Sequence, residues 1–147
     1  MSPAVDRRDL FGKLSALCKG EMAAVESYDL ALRAAVLSRL AERLRYCEGS
    51  HRERVALLRQ HIQARGGSPP RSSGAWGVFA RAVEAAAALL GSRAALSALQ
   101  EGEELGLTEY RSQTAVLDRP SQQFVERYLL PAQIETHRIL RELKRAF

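Results

Sequence analysis

The sequence is poor in the residues that build sheets. It has one Trp, four Tyr and four Phe in 147 residues, and β-branched runs are nearly absent, which argues against a β fold. Two cysteines, Cys18 and Cys47, form no CxxC motif and are too few for a disulfide framework. Reduced thiols in a helical core are the expectation, with a Cys18–Cys47 bridge open if the first two helices are neighbours. The amino-terminal MSPAVDRRDL has no apolar stretch of the signal-peptide kind. The apolar run from Val83 to Leu90 is too short to cross a bilayer. A soluble cytoplasmic protein with no membrane partner is therefore expected. No basic arm is present either. The formal net charge of +5 comes from arginines scattered along helices, so solvated helix faces are favoured over nucleic-acid binding. Nor does an aromatic-and-basic ladder suggest single-strand binding.

What is present favours helix. Ala and Leu dominate the apolar content, and the length suits one domain, 1–147. Residues 1–6 read as a tail. Asp6 or Asp9 can cap a first long helix running to about Ala35, with a turn near Val36–Ser38 and Ser38 as the next N-cap. A second helix, about Arg39–Ala64, carries the stripe Leu40, Leu44, Cys47 or Glu48, His51, Val55, Leu58, Ile62, and ends at Gly66-Gly67 before Pro69-Pro70. GGSPPRSSG, residues 66–74, is the one linker. A short helix follows, about Ala75–Leu90, anchored by Trp76, Phe79, Val83 and Leu90. A third long helix runs from about Arg93 to Leu117. After a turn at 118–121 with Ser121 as N-cap, a fourth covers about Gln122–Ala146, with Pro131 expected to kink it or mark a local break. The expected fold is all-α: an antiparallel four-helix bundle with one extra short helix between the second and third long helices, the linker and that helix spanning 66–91.

One segment occurs twice. Gly20-Glu21 precedes Tyr28, and Gly102-Glu103 precedes Tyr110, at the same spacing. Each glutamate lies within an apolar stripe at helical period: Leu10, Leu14, Leu17, Glu21, Ala24, Tyr28, Ala31, and Leu96, Leu99, Glu103, Leu107, Tyr110, Thr114, Leu117. Both carboxylates should therefore point inward. A buried carboxylate without a partner costs several kcal/mol or neutralises itself, so something must compensate it.

A metal is one answer. Glu48 and His51 lie three apart on the second helix, and carboxylate-bridged di-iron and di-manganese bundles use one Glu from each of two helices and Glu-x-x-His from each of the other two. Glu21, Glu103 and Glu48/His51 supply three of those four contributions. The fourth helix offers His137, but Ile134 stands where its Glu would be, and Glu135 is displaced by one position. Oxygen ligands with imidazole suit iron, or manganese, and a cation would neutralise the inward glutamates. Tyr28 and Tyr110, two turns beyond their glutamates, could hydrogen-bond the opposite carboxylates as outer partners of the metal-binding set.

These residues resemble the ferritin-like superfamily. In bacterioferritins and rubrerythrins the first helix carries Glu with Tyr about two turns later, and the second carries Glu-x-x-His. Glu21, Tyr28, Glu48 and His51 match that pattern, and Glu103 and Tyr110 look like third-helix counterparts. The Gly-Gly-x-Pro ending and the extra short helix look most like a bacterial branch of small four-helix proteins with a domain of unknown function. The resemblance implies iron binding, as one or two ions, with ferroxidase or peroxide- and oxygen-linked oxidoreductase activity. Against it stand plainer readings: Glu21 paired with an arginine across the bundle, His51 as a satisfied core histidine, the tyrosines as core fillers with bonded hydroxyls, and His61 exposed. The competing function is a metal-free helical interaction or stress-response module, acting through a homodimer or partner helices, with Trp76 and Phe79 at its contact surface.

Overall fold

The structure is a computed structural model that describes residues 6–33 and 40–147. The expected turn at Val36–Ser38, the Ser38 cap and most of the expected tail lie outside the described residues. Those residues are all-α, with no strand among them. Helix α1 spans Arg7–Arg33, α2 Ala41–Ala64, α3 Gly77–Leu90, α4 Ser92–Thr114, α5 Arg119–Phe124 and α6 Leu130–Ala146. A 3-10 turn, Gly74–Trp76, leads into α3.

Several boundaries follow from local chemistry. Gly66, at φ 87°, takes the left-handed conformation that ends α2. Gly91, at φ 89°, separates α3 from α4. Asp118, rather than Ser121, caps α5: its side chain accepts the Ser121 backbone N–H, and a proline occupies the first turn. Pro131 marks a local irregularity: the five residues Val125–Leu129 form a π-helical turn between α5 and α6, and Pro131 lies in the first turn of α6. Proline lacks an N–H and crowds the carbonyl four residues earlier, and a wider turn relieves both. The inward positions record it: Ser121, Val125, Leu129 and Gln133 follow in steps of four before the spacing returns to Thr136, Leu140 and Leu143.

The long helices meet antiparallel. Arg7 reaches the Arg65 carbonyl while His51 reaches Glu21, so α1 and α2 run in opposite senses. Arg43 bonds Glu142 and His61 bonds Ser121, which gives α2 against α5–α6. Tyr28 reaches Glu103 and Tyr110 reaches Glu21, which gives α1 against α4. Helix α3 packs on α1 and α4 through Ala80, Val83 and Ala87. Two apolar clusters result, one around Leu44, Val83, Leu96 and Leu140, the other around Leu14, Leu58, Val125 and Leu129. Cys18 and Cys47 are buried and free; burial pushes their thiols up to about 11 and about 12. The polar site lies between these two clusters.

Candidate functional site: a buried charge cluster

Glu21 on α1 and Glu103 on α4 both point inward, 4% and 2% exposed. Between them lies the His51 ring. Its Nδ1 is 2.5 Å from Glu21 Oε2 and its Nε2 is 2.7 Å from Glu103 Oε1. With a carboxylate on each ring nitrogen, both nitrogens donate, and the ring is an imidazolium. Burial pulls the His51 pKa down, but Glu103 and Glu21 outweigh it and the net shift is upward.

Arg54, one turn along α2, is the second cation, at 1% exposure. Its Nη1 donates to Glu21 Oε1 at 3.1 Å and to Gln133 Oε1, and its Nη2 donates to Thr136 Oγ1 at 3.1 Å. Burial would raise the Glu21 carboxyl, yet Arg54 and His51, with the Tyr110 hydroxyl, bring it down to about 2. Glu103 is lowered in the same way: burial opposes, and His51 and the Tyr28 hydroxyl prevail.

The remaining oxygens are satisfied by neutral donors. Tyr28 donates to Glu103 Oε1 at 2.6 Å, and Tyr110 donates to Glu21 Oε1 at 2.5 Å. Each tyrosine thus serves the glutamate of the other copy of the repeat, the crossed pairing the sequence suggested. Gln133 Nε2 donates to Glu103 Oε2 at 3.0 Å, and Thr136 Oγ1 donates to it at 2.7 Å. Every carboxylate oxygen has a donor, and the cluster holds two charges of each sign.

The sequence-predicted metal set divides. Glu21, His51 and Glu103 come together. Glu48 does not: its side chain, half-buried beside the inward face of α2, pairs with Arg52 instead. Glu135 is half-buried at the rim of α6 and pairs with Arg138. His137 lies 3.9 Å from the exposed Glu104, away from the cluster. On α2 the buried face runs Leu44, Cys47, His51, Arg54, Leu58, Ile62: of the two alternatives Cys47 takes the inward place, and Arg54 joins the stripe beside Val55, which is half-buried against the second apolar cluster. His61 is half-buried, stacked on Phe124 with ring centroids 4.2 Å apart and bonded to Ser121, rather than exposed.

No group of three or more His, Cys, Asp or Glu side chains is arranged to hold a metal among the described residues. The donor chemistry explains this. Both ring nitrogens of His51 are engaged by carboxylates, and Arg54 already neutralises Glu21. A divalent cation would need a neutral imidazole with a free nitrogen and would add two positive charges to a balanced set. The residues present do not fit a bound iron or manganese ion in this arrangement.

Arg54, Gln133 and Thr136 were not anticipated. Arg54 was legible in principle, since it lies three residues from His51 on the same face. Gln133 and Thr136 repeat that i, i+3 spacing, but their inward phase depends on the π-helical turn.

Beside the cluster a cavity of about 70 Å³ opens between α1 and α4. Gly20 and Gly102 line it, with Trp76 and Phe79 on its outer side. The two glycines differ. A Cβ on Gly102 would come within 2.7 Å of the Phe79 ring, whereas one on Gly20 would meet nothing within 4 Å.

Residues 9–115 match the family described as Domain of unknown function (DUF2383), and the chain belongs to that family. No curated protein and no solved structure matches it.

Proposed function

We propose that this chain is a ferritin-like four-helix bundle that works as a metal-free interaction module, associating with a second copy through the outer face of α3. The ferritin-like reading is supported by antiparallel neighbours around a closed set, α1, α2, α5–α6 and α4, with one long link between the two hairpins. It is supported further by the inward positions. Ferritin-like di-metal bundles place one Glu on each of two helices and an i, i+3 pair on each of the other two. This chain keeps that layout and changes the chemistry: Glu21 and Glu103 remain, while the pairs are His51/Arg54 and Gln133/Thr136. An imidazolium and a guanidinium supply the positive charge that metal ions supply there.

The observation that carries the module is α3. Its inner face is buried through Ala80, Val83 and Ala87, whereas Leu90, expected as an anchor, lies outside it, and the outer face is apolar too. Val78, Leu89 and Leu90 are 72%, 81% and 76% exposed, and Ala82 and Ala85 continue the Val78–Leu89 stripe. A helix apolar all round is normally covered on both sides. Its charged residues are Arg81 and Glu84, one of each sign, in a chain of net charge +5. Two copies repel over most of their surfaces but not here. A two-fold axis near Ala82 can set each Arg81 against the partner copy's Glu84. One helix offers less than the ~800 Å² per partner of a standard interface, so the association should be weak and concentration-dependent.

A second reading, iron or manganese held by Glu21, His51 and Glu103, is favoured by the convergence of those three side chains. It requires His51 to give up a proton and both its hydrogen bonds, and Arg54 to leave Glu21. Sedimentation across a concentration series and elemental analysis of untreated protein decide between the two. The module reading expects self-association lost in Leu89→Glu, with metal well below one equivalent. A monomer at every concentration overturns it. Stoichiometric iron or manganese, lost in Glu21→Ala and His51→Ala, favours the second reading, and ferrous oxidation above the buffer rate would add the enzymatic claim.

A further inference from the structure

At the other end of α4 lies a second cavity, of about 300 Å³, lined by Arg93, Gln100, Arg141, Lys144 and Arg145. That is the lower end of the range for ligand pockets, about 300–1,000 Å³. None of the four cations makes an ion pair or a side-chain hydrogen bond among the described residues, and the sequence outside those residues contains no Asp or Glu. The acids nearby are committed elsewhere: Glu142 pairs with Arg43 and Arg138, and Glu135 pairs with Arg138.

Helix dipoles account for part of the cluster and fail for the rest. Arg141, Lys144 and Arg145 lie in the last turns of α6, where cations are favoured. Arg93 is the second residue of α4, at the positive end of a 23-residue helix with no acidic residue in its first turn and no side-chain cap. The dipole disfavours a cation there, and three more cations face it. Arg141 and Arg145 also repel one another at i, i+4. The first N–H groups of α4 have no partners within the helix and add donors at the same place. Gln100 completes the lining as a neutral residue, its Nε2 turned to Glu104.

We infer that the cavity between the amino end of α4 and the carboxyl end of α6 binds a small, multiply charged phosphate-class anion. Arg93, Arg141, Lys144 and Arg145 neutralise its oxygens. The charge of such an anion removes the mutual repulsion of the four side chains and matches the dipole of α4. A solvated basic face without a built site would bind anions by charge alone.

Calorimetric titration of the whole chain with pyrophosphate, against chloride at matched ionic strength, separates the two. Saturable binding of pyrophosphate is expected. Arg93→Glu and Arg141→Glu should each weaken it at least about tenfold, as the loss of a charge-assisted contact implies. Arg71→Glu, an exposed charge in the linker, should leave it unchanged. These side chains are exposed, so circular dichroism should show each variant folded. No saturable heat beyond chloride, or equal weakening by Arg71→Glu, overturns the site. Binding of an oligonucleotide or of anionic vesicles with pyrophosphate inert overturns the small-anion assignment.

Discussion

Tyr110 on α4 donates its hydroxyl hydrogen to Glu21 on α1 across 2.5 Å, although the two residues are 89 positions apart. Tyr28 returns the contact to Glu103 at 2.6 Å. The two bonds are related by the repeat and stitch the two helical hairpins together at the centre of the molecule. Each is a neutral donor serving a buried anion, so each is stronger than a neutral pair.

Tyr110→Phe and Tyr28→Phe should each destabilise the protein by about 1.5–3 kcal/mol, the range for hydrogen bonds to charged groups. The two costs should be alike, because the two environments are. Urea unfolding followed by circular dichroism measures them. A cost near zero for either would mean that its carboxylate is satisfied by the remaining donors.

Arg54→Met leaves Glu21 with one cation and should cost about 3–5 kcal/mol, the usual penalty for breaking a buried pair. Adding Glu21→Gln should recover part of it, because the orphaned charge goes too. A double variant no better than Arg54→Met would show that the guanidinium acts by filling space rather than by charge.

Stability should peak in mildly acidic solution. The Glu21 carboxyl is held down to about 2, against an ordinary 4.5, so its contribution is full above about 4.5 and fades as pH falls toward 2. The His51 pKa is raised above the ordinary 6.5, so its contribution is full below 6.5 and fades as pH climbs through its folded value. Thermal melts across pH should therefore decline on both sides of a window between 4.5 and 6.5. A monotonic rise from pH 5 to 9 would contradict the imidazolium.

The two glycines of the repeat should respond differently to alanine. Gly102→Ala drives a Cβ into the Phe79 ring at 2.7 Å and should lose about 1–3 kcal/mol through overpacking. Gly20→Ala meets open space and should gain up to ~1 kcal/mol of helix propensity. Melting temperatures of the two variants should move in opposite directions.

Helix content was legible in the chain because apolar spacing and glycine or proline breaks are local properties. So were the inward glutamates and the crossed tyrosines, which follow from a repeat with helical phase. Glu48 was one of two residues offered for the inward face of α2, and Glu135 stood one position from the place of a ligand, because spacing alone leaves a helix face uncertain by one position. Cys47 takes the inward place, and Glu48 and Glu135 pair with Arg52 and Arg138 instead.

The sequence by itself determined the long helices, where two of them carry a buried acid, and that a cation had to answer those acids. The tertiary structure decided which cation. Arg54 and His51 reach Glu21 and Glu103 only across helix interfaces, and Gln133 and Thr136 face them only because the π-helical turn before Pro131 resets the phase of α6. Charge compensation between helices depends on their relative rotation, and no local pattern encodes that angle.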